Sequence, residues 1–231
     1  MTDTTKINAI NTFDLGLISN SIPFGANDAL YLGFLGDSDK NKFNFIDTTK
    51  YQLTFYGGWD FTNGMKGNSV NTYAKTGWIP SARITNNDGG AIGAYLRNDF
   101  GSDQHFMGVG HAGSYFDPYP YGGGIYPSIN DGNNTYYIPT RKRGGIDIAR
   151  TSSTNISCLS DSTTYNVTQN FTGKNGYEVY IGAMNHLGGP YGIYNNDIVC
   201  AYISANQWTQ SQQLAFSALR STMLTTLGLN V

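Results

Sequence analysis

Ile146-Asp147-Ile148-Ala149-Arg150 sets its two isoleucines on one face of an extended chain. Tyr51-Gln52-Leu53-Thr54-Phe55 repeats the device, with Tyr51, Leu53 and Phe55 on one side and polar residues on the other. In Tyr177-Glu178-Val179-Tyr180-Ile181, Val179 and Ile181 fall together. A period of two is the mark of a half-buried strand. Working outward, further strand-like runs lie at 29–35, 42–46, 71–79, 91–97, 105–110, 135–138, 155–159, 165–168 and 197–203. Between the runs stand turn residues: Asn63-Gly64, Asp88-Gly89-Gly90, Asp131-Gly132-Asn133-Asn134 and Asn175-Gly176. Short strands at this spacing predict an antiparallel sandwich or barrel. No internal repeat or linker divides the chain.

Composition agrees. The 231 residues include 29 Gly, 17 Tyr and 12 Phe, but only 13% are charged and the net charge is -2. Glu178 is the sole glutamate. Tyr, Phe, Thr, Asn and Gly are strand and turn residues, so a mainly helical fold is excluded. The aromatic content argues against disorder. The lack of basic excess argues against a nucleic-acid partner held by phosphate neutralisation. The longest apolar stretch, 29–35, falls far short of the roughly 18 residues of a membrane-spanning helix. The start, Met1-Thr2-Asp3-Thr4-Thr5-Lys6, lacks the basic and apolar regions of a signal peptide. Residues 1–28 read as polar and irregular. Cys158 and Cys200, both in strand-like runs, read first as buried free thiols, with a single bridge as the alternative.

The C-terminus changes period. Thr209-Gln210-Ser211-Gln212 is a capping box. Phe216, Leu219, Met223 and Leu227 follow at helical spacing, and Gly228 suits a helix-ending position. One amphipathic packing helix is expected over 210–227.

Chemistry-bearing motifs are few. Gly108-Val109-Gly110-His111-Ala112-Gly113 fits a dinucleotide fingerprint in letters, but Pro118 and Pro120 forbid the helix it needs. His111 therefore reads as a loop residue. None of His105, His111 and His186 has a His or Cys at zinc-ligand spacing. Glycoside cleavage needs two facing carboxyls, and Glu178 has no acidic partner two positions away, which leaves only scattered loop Asp residues. Weak calcium candidates are Asp99 with Asp103 and Asp131 with Asn133; Asp37, Asp39 and Asp88 also offer turn oxygens. No other cofactor is expected. The most informative segment is 115–126, an aromatic loop holding Tyr115, Phe116, Tyr119, Tyr121 and Tyr126. Its rings suit sugar stacking, a subunit contact or intrachain packing, and the sequence leaves these open. Trp59 is a further candidate stacking ring.

Two stretches carry a resemblance. The first is Phe43-Asn44-Phe45-Ile46-Asp47 through Tyr51 to Trp59, with Asn71-Thr72-Tyr73-Ala74 and Trp78-Ile79-Pro80. The second is Glu178 to Asn185, then Tyr194-Asn195-Asn196-Asp197-Ile198-Val199-Cys200-Ala201-Tyr202-Ile203 and the capped helix. Together they resemble the concanavalin A-like lectin/glucanase superfamily, the LamG-like jelly roll, in the versions found in bacteriophage virion proteins. There a Tyr-Ile-Gly-x-x-Asn strand precedes a Cys-Ala-Tyr strand and a helix ending in Leu-Gly. The resemblance implies an all-β, antiparallel two-sheet jelly-roll sandwich with one C-terminal amphipathic helix. The sandwich would occupy 43–231, and 1–42 would be an N-terminal arm and first strand able to dock on a neighbour. Asp197, Cys200 and Gly182 match structural positions only. The acidic Glu-x-Asp-x-Glu strand of the glucanases is absent. The expected function is a non-enzymatic virion structural or adhesion protein: a capsid decoration, head-fibre or tail-associated component. It would lie on the virion surface or outside the cell and bind other virion proteins, its own copies or a surface polysaccharide. The alternatives are a stand-alone lectin and a polysaccharide-cleaving enzyme using loop Asp residues.

Overall fold

The computed structural model describes residues 3–111, 113–132, 136–140 and 142–231. Met1, Thr2, Ala112, the Asn133 to Thr135 part of an expected turn and strand start, and Arg141 lie outside the described residues.

The chain enters through helix α1 (Asp3–Ser19) and strand β1 (Ala29–Leu32). Next come α2 (Ser38–Asn41), β2 (Thr54–Tyr56), β3 (Met65–Lys66), β4 (Tyr73–Lys75) and α3 (Pro80–Arg83). The longer strands follow: β5 (Ala91–Leu96), β6 (Met107–His111), β7 (Ser114–Tyr121), β8 (Gly124–Asp131), β9 (Gly144–Ser152), β10 (Asn155–Ser160) and β11 (Thr163–Thr168). Short β12 (Tyr180–Ile181), β13 (Met184–His186) and β14 (Gly189–Tyr191) lead to β15 (Asp197–Ser204) and helix α4 (Gln210–Thr226).

Among the described residues the strands form two sheets. One runs β1-β15-β5-β9-β10-β11, with β3 on β15; the other runs β14-β13-β6-β12-β4-β2, with β7 on β6 and β8 on β7. Named strands pair antiparallel except for a single parallel contact, Asn185 with Val109. The all-β jelly-roll sandwich is therefore observed.

Alternation explains the layering. Along β5, Ile92, Ala94 and Leu96 enter the core between the sheets with Met107, Val109, Phe116 and Ile181 of the second sheet. Ala91 and Tyr95 point the other way, into a second apolar layer with Leu30, Tyr202 and α4's Phe216. The first sheet is thus buried on both faces, which accounts for the complete burial of β5 and β15. Cys158 lies in the core between the sheets and Cys200 in the helix-covered layer. Both are free and buried, as the first reading held.

The helical layer corrects one expectation. Residues 3–19 are not irregular; they form α1, a second long helix beside α4. Ala9, Phe13 and Leu17 bury one face of it at four-residue spacing, and Phe13 meets Phe216 at 6.0 Å. A Cβ at Gly16 would collide with Leu219, so this glycine sets how closely α1 and α4 approach. The α4 capping box is present, with Thr209 N–H donating to Gln212 Oε1 at 2.9 Å. Gly228 ends the helix at φ +67°. No helix among the described residues is long and apolar enough to cross a membrane.

Among the described residues, the α1–α4 layer packs on the first sheet and not on the second. The second sheet's outer face is the broad surface on which side chains meet solvent.

Candidate functional site

On that outer face β6 contributes glycines. Met107 and Val109 point into the core, so Gly108 and Gly110 point out. A Cβ on Gly108 would lie 2.8 Å from Asp117 Oδ1, and one on Gly110 would strike the Tyr115 ring. The Gly-x-Gly of the apparent dinucleotide motif is therefore a flat strip across which β7 lays Tyr115 and Asp117. His111 is the last residue of β6 rather than a loop residue.

The expected aromatic loop is a correction as well. Residues 114–131 form the hairpin β7–β8, with Tyr119 directly opposite Tyr126. Pro118 faces Pro127. Neither has an N–H to donate, so this pair occupies a position where the ladder requires none. Alternation then sorts the candidate rings. Phe116 is fully buried between the sheets against Trp78, at 5.4 Å, and packs the core. Tyr115, Tyr119, Tyr121 and Tyr126 lie on the outer face. Trp59 is elsewhere, half-buried against Phe55 and Phe61, with its ring over Gly182.

The hairpin tyrosines join residues that the sequence kept apart. Ring centroids run from Tyr137 through Tyr126, Tyr119, His105 and Tyr191 to His186, at steps of 5.6, 5.9, 5.0, 5.7 and 6.0 Å. His111 meets His186 edge to face at 5.7 Å, so all three histidines of the chain gather here. A cleft of about 380 Å³ opens among them, lined by His105, Tyr115, Tyr119, Met184, His186 and Tyr191. Tyr191 is 50% exposed and Tyr121 47%, whereas His105 is sealed beneath the rings.

Polar chemistry lies at the floor. His105 Nδ1 is 2.9 Å from Asp117 Oδ2, and neither side chain reaches solvent. Burial raises the Asp117 carboxyl above its ordinary range, and His105 opposes that shift. The backbone N–H of His105 donates to the Gly192 carbonyl at 2.6 Å, anchoring the segment that carries Tyr191. Tyr119 O–H donates to Asp103 Oδ1 at 2.6 Å; burial, and then this bond, push the Tyr119 phenol upward.

The calcium candidates are dispersed. Asp103 is engaged by Tyr119, Asp99 lies 3.8 Å from Arg143, and Asp131 is buried at the end of β8 opposite Tyr115. Asn133 lies outside the described residues. Among the described residues no group of three or more His, Cys, Asp or Glu is placed to hold a metal.

His105 and His186 entered the sequence reading only as residues without zinc-ligand spacing, and Met184 and Tyr191 were not singled out as site residues. Their one local signal is the Gly-Gly-Pro-Tyr-Gly segment at 188–192, whose Gly188 lies in the turn before β14 and whose Tyr191 is the last residue of β14. The contact of β13 with β6, across some 75 residues of chain, and the bridge of His105 with Ile193 bring Met184, His186 and Tyr191 to the hairpin.

No protein-family model matches the chain. No curated protein matches it in sequence. Its structure is similar to domain 4 of AbnA, a GH43 extracellular arabinanase from Geobacillus stearothermophilus, solved with arabinotriose. The TM-score is 0.53 at 13% identity, covering 82% of this chain and 98% of that one. It is also similar to a Trypanosoma rangeli sialidase solved with sialic acid, with a TM-score of 0.55 at 11% identity. That match covers 93% of this chain but only 38% of the sialidase. At these identities the likeness establishes the β-sandwich fold, one that occurs in domains of carbohydrate-active proteins.

Proposed function

We propose that this chain is a carbohydrate-binding domain that holds a saccharide in the cleft of the outer sheet by ring stacking. The carrying observation is the run of aromatic rings opening into that cleft, on the sheet face that the α1–α4 layer does not cover. The C–H faces of a sugar complement the negative faces of such rings, and its hydroxyls find tyrosine and histidine tips at the rim. That the arabinanase domain, matched over 98% of its length, was solved with arabinotriose supports the reading.

Binding without cleavage fits the carboxyls. Most glycosidases set two of them across the bond. Here Asp117 is sealed under the rings and Asp103 is engaged by Tyr119. The test is a glycan array with and without calcium, followed by calorimetry of any hit. Tyr119→Ala and Tyr191→Ala are expected to weaken binding roughly tenfold or more. A blank array in both conditions, or affinity untouched by Tyr191→Ala, overturns the reading.

A second reading, favoured by α1, adds a role in a particle. Ile7, Leu15 and Ile18 are 55%, 66% and 70% exposed on the helix face opposite Ala9, Phe13 and Leu17. Such a face suits docking on a neighbour. In this reading the domain is a virion-surface component, a phage capsid decoration, head-fibre or tail-associated protein, displayed outside the cell. Native mass spectrometry of the wild type and of Leu15→Asp tests it. A wild type that is a monodisperse monomer and leaves virions unbound removes it.

A further inference from the structure

The cleft occupies one end of the outer face; the other end carries a second aromatic construction. Tyr56 of β2 sits directly opposite Tyr73 of β4, with rings stacked at 4.8 Å and 5° from parallel. Tyr73 stacks in turn on Tyr180 of β12 at 4.9 Å. Lys75 Nζ hangs over this stack, 5.4 Å from the Tyr56 centroid and 5.9 Å from that of Tyr180. Glu178 Oε1 lies 4.0 Å from the same ammonium, and Glu178 Oε2 accepts from Gly77 N–H at 2.8 Å. Ala74 and Ile181, the alternate residues, are in the core, so the stack and the cleft share one sheet face.

Tyr180 joins the two ends. It pairs with Gly108, the glycine over which Asp117 lies, and its O–H donates at 3.0 Å to the carbonyl of Gly188. Gly188 is in the turn between β13 and β14, which carry His186 and Tyr191. The floor therefore runs unbroken from Tyr56 to Tyr191. The strand order puts β2 and β14 at opposite edges, roughly 24 Å apart at about 4.8 Å per strand step. A single sugar cannot reach both ends.

We infer that the outer face is an extended track for a linear, uncharged polysaccharide, with Tyr56, Tyr73 and Lys75 forming a second subsite beyond the cleft. The inference rests on the cleft being a saccharide site. The ligand class follows from charge. Lys75 and Glu178 offset each other, Asp117 is sealed with His105, and among the described residues lining the stack and the cleft no unpaired Lys or Arg would reward a polyanion. The Lys75 and Glu178 pair supplies donors and an acceptor for hydroxyls, and Tyr56, 39% exposed, supplies a platform.

Calorimetry with size-graded arabino- and cello-oligosaccharides, from disaccharide to hexasaccharide, tests the track, with heparin as the polyanion. Wild-type affinity for one neutral series is expected to rise roughly tenfold from the shortest to the longest member. Tyr56→Ala and Lys75→Ala are expected to flatten that rise, and Tyr73→Phe, which keeps the ring, to preserve it. Far-UV circular dichroism establishes that each variant is folded. A disaccharide that binds as tightly as the hexasaccharide, or a rise unchanged in both alanine variants, overturns the track while leaving the cleft reading intact. Heparin binding more tightly than every neutral oligosaccharide overturns the uncharged class. Wild type that binds no saccharide overturns the inference and the cleft reading together.

Discussion

Arg220 of α4 grips Asp147 of β9 with two parallel bonds of 2.7 Å, one to each carboxylate oxygen, and neither side chain is exposed. This pair pins the helical layer to the first sheet. Removing the guanidinium leaves a buried carboxylate with nothing to balance it. Arg220→Met is expected to cost about 3–5 kcal/mol in urea unfolding. Replacing both partners, Asp147→Leu with Arg220→Met, should recover most of that loss, because no buried charge remains. A single variant within about 1 kcal/mol of wild type would show that water reaches the pair.

The runs that became long strands were legible because burial on two faces leaves a dense apolar pattern. β5, β9, β10 and β15 fall on the expected runs. α4 was legible through its capping box and stripe. α1 was not, although Ala9, Phe13 and Leu17 stand at helical spacing, because Asn, Thr and Gly16 dilute the pattern. Its helicity comes from packing on α4 rather than from propensity. The hairpin β7–β8 was hidden by Pro118, Pro120 and Pro127, which ordinarily demote a strand. A third of the cleft lining, Tyr115 and Tyr119, was legible as an aromatic-rich segment. His105 and His186 were not, and Tyr191 had only the glycine-rich 188–192 segment to mark it, because these residues meet through long-range strand pairing.

Glycine separates floor from turn in the cleft. Gly110 has an ordinary backbone, so Gly110→Ala acts through collision with the Tyr115 ring and a 3.0 Å approach to Met184 Sδ. It should cost about 1–3 kcal/mol as an overpacked site, shift the near-UV spectrum and weaken saccharide binding. Gly113 has φ +88° with nothing near its missing Cβ. Gly113→Ala should cost only about 1 kcal/mol of backbone strain and leave binding alone. Equal effects of the two on binding would contradict this assignment of the floor.

The two thiols should behave as packing groups. Burial pushes the Cys200 thiol up to about 12 and the Cys158 thiol higher still. Little thiolate exists at neutral pH, and both sulfurs are shielded. Native protein should resist an aromatic disulfide reagent at pH 8 for as long as it stays folded, then react at both sites in denaturant. Rapid labelling of either cysteine in the native state would overturn the core assignment.

Asp28 gives the clearest pH signature. Its Oδ1 accepts from Ala205 N–H at 2.6 Å, and its Oδ2 accepts from Gly25 N–H at 2.7 Å and from Asn206 Nδ2 at 2.8 Å. Burial nonetheless outweighs these bonds and raises the carboxyl above 3.8. The folded state therefore holds the proton more tightly than the unfolded state. Below 3.8 both states are protonated and the favourable contribution is complete. As pH rises, the unfolded chain ionises first, and stability drains until the folded carboxyl has ionised too. Asp28→Asn loses hydrogen bonds at every pH but lacks this drain. Urea unfolding from about pH 3 to about pH 7 should thus show wild type losing stability relative to Asp28→Asn just above pH 3.8 and running parallel to it at higher pH. If wild type instead gains on the variant through that window, the hydrogen bonds outweigh the burial and the carboxyl is lowered, not raised.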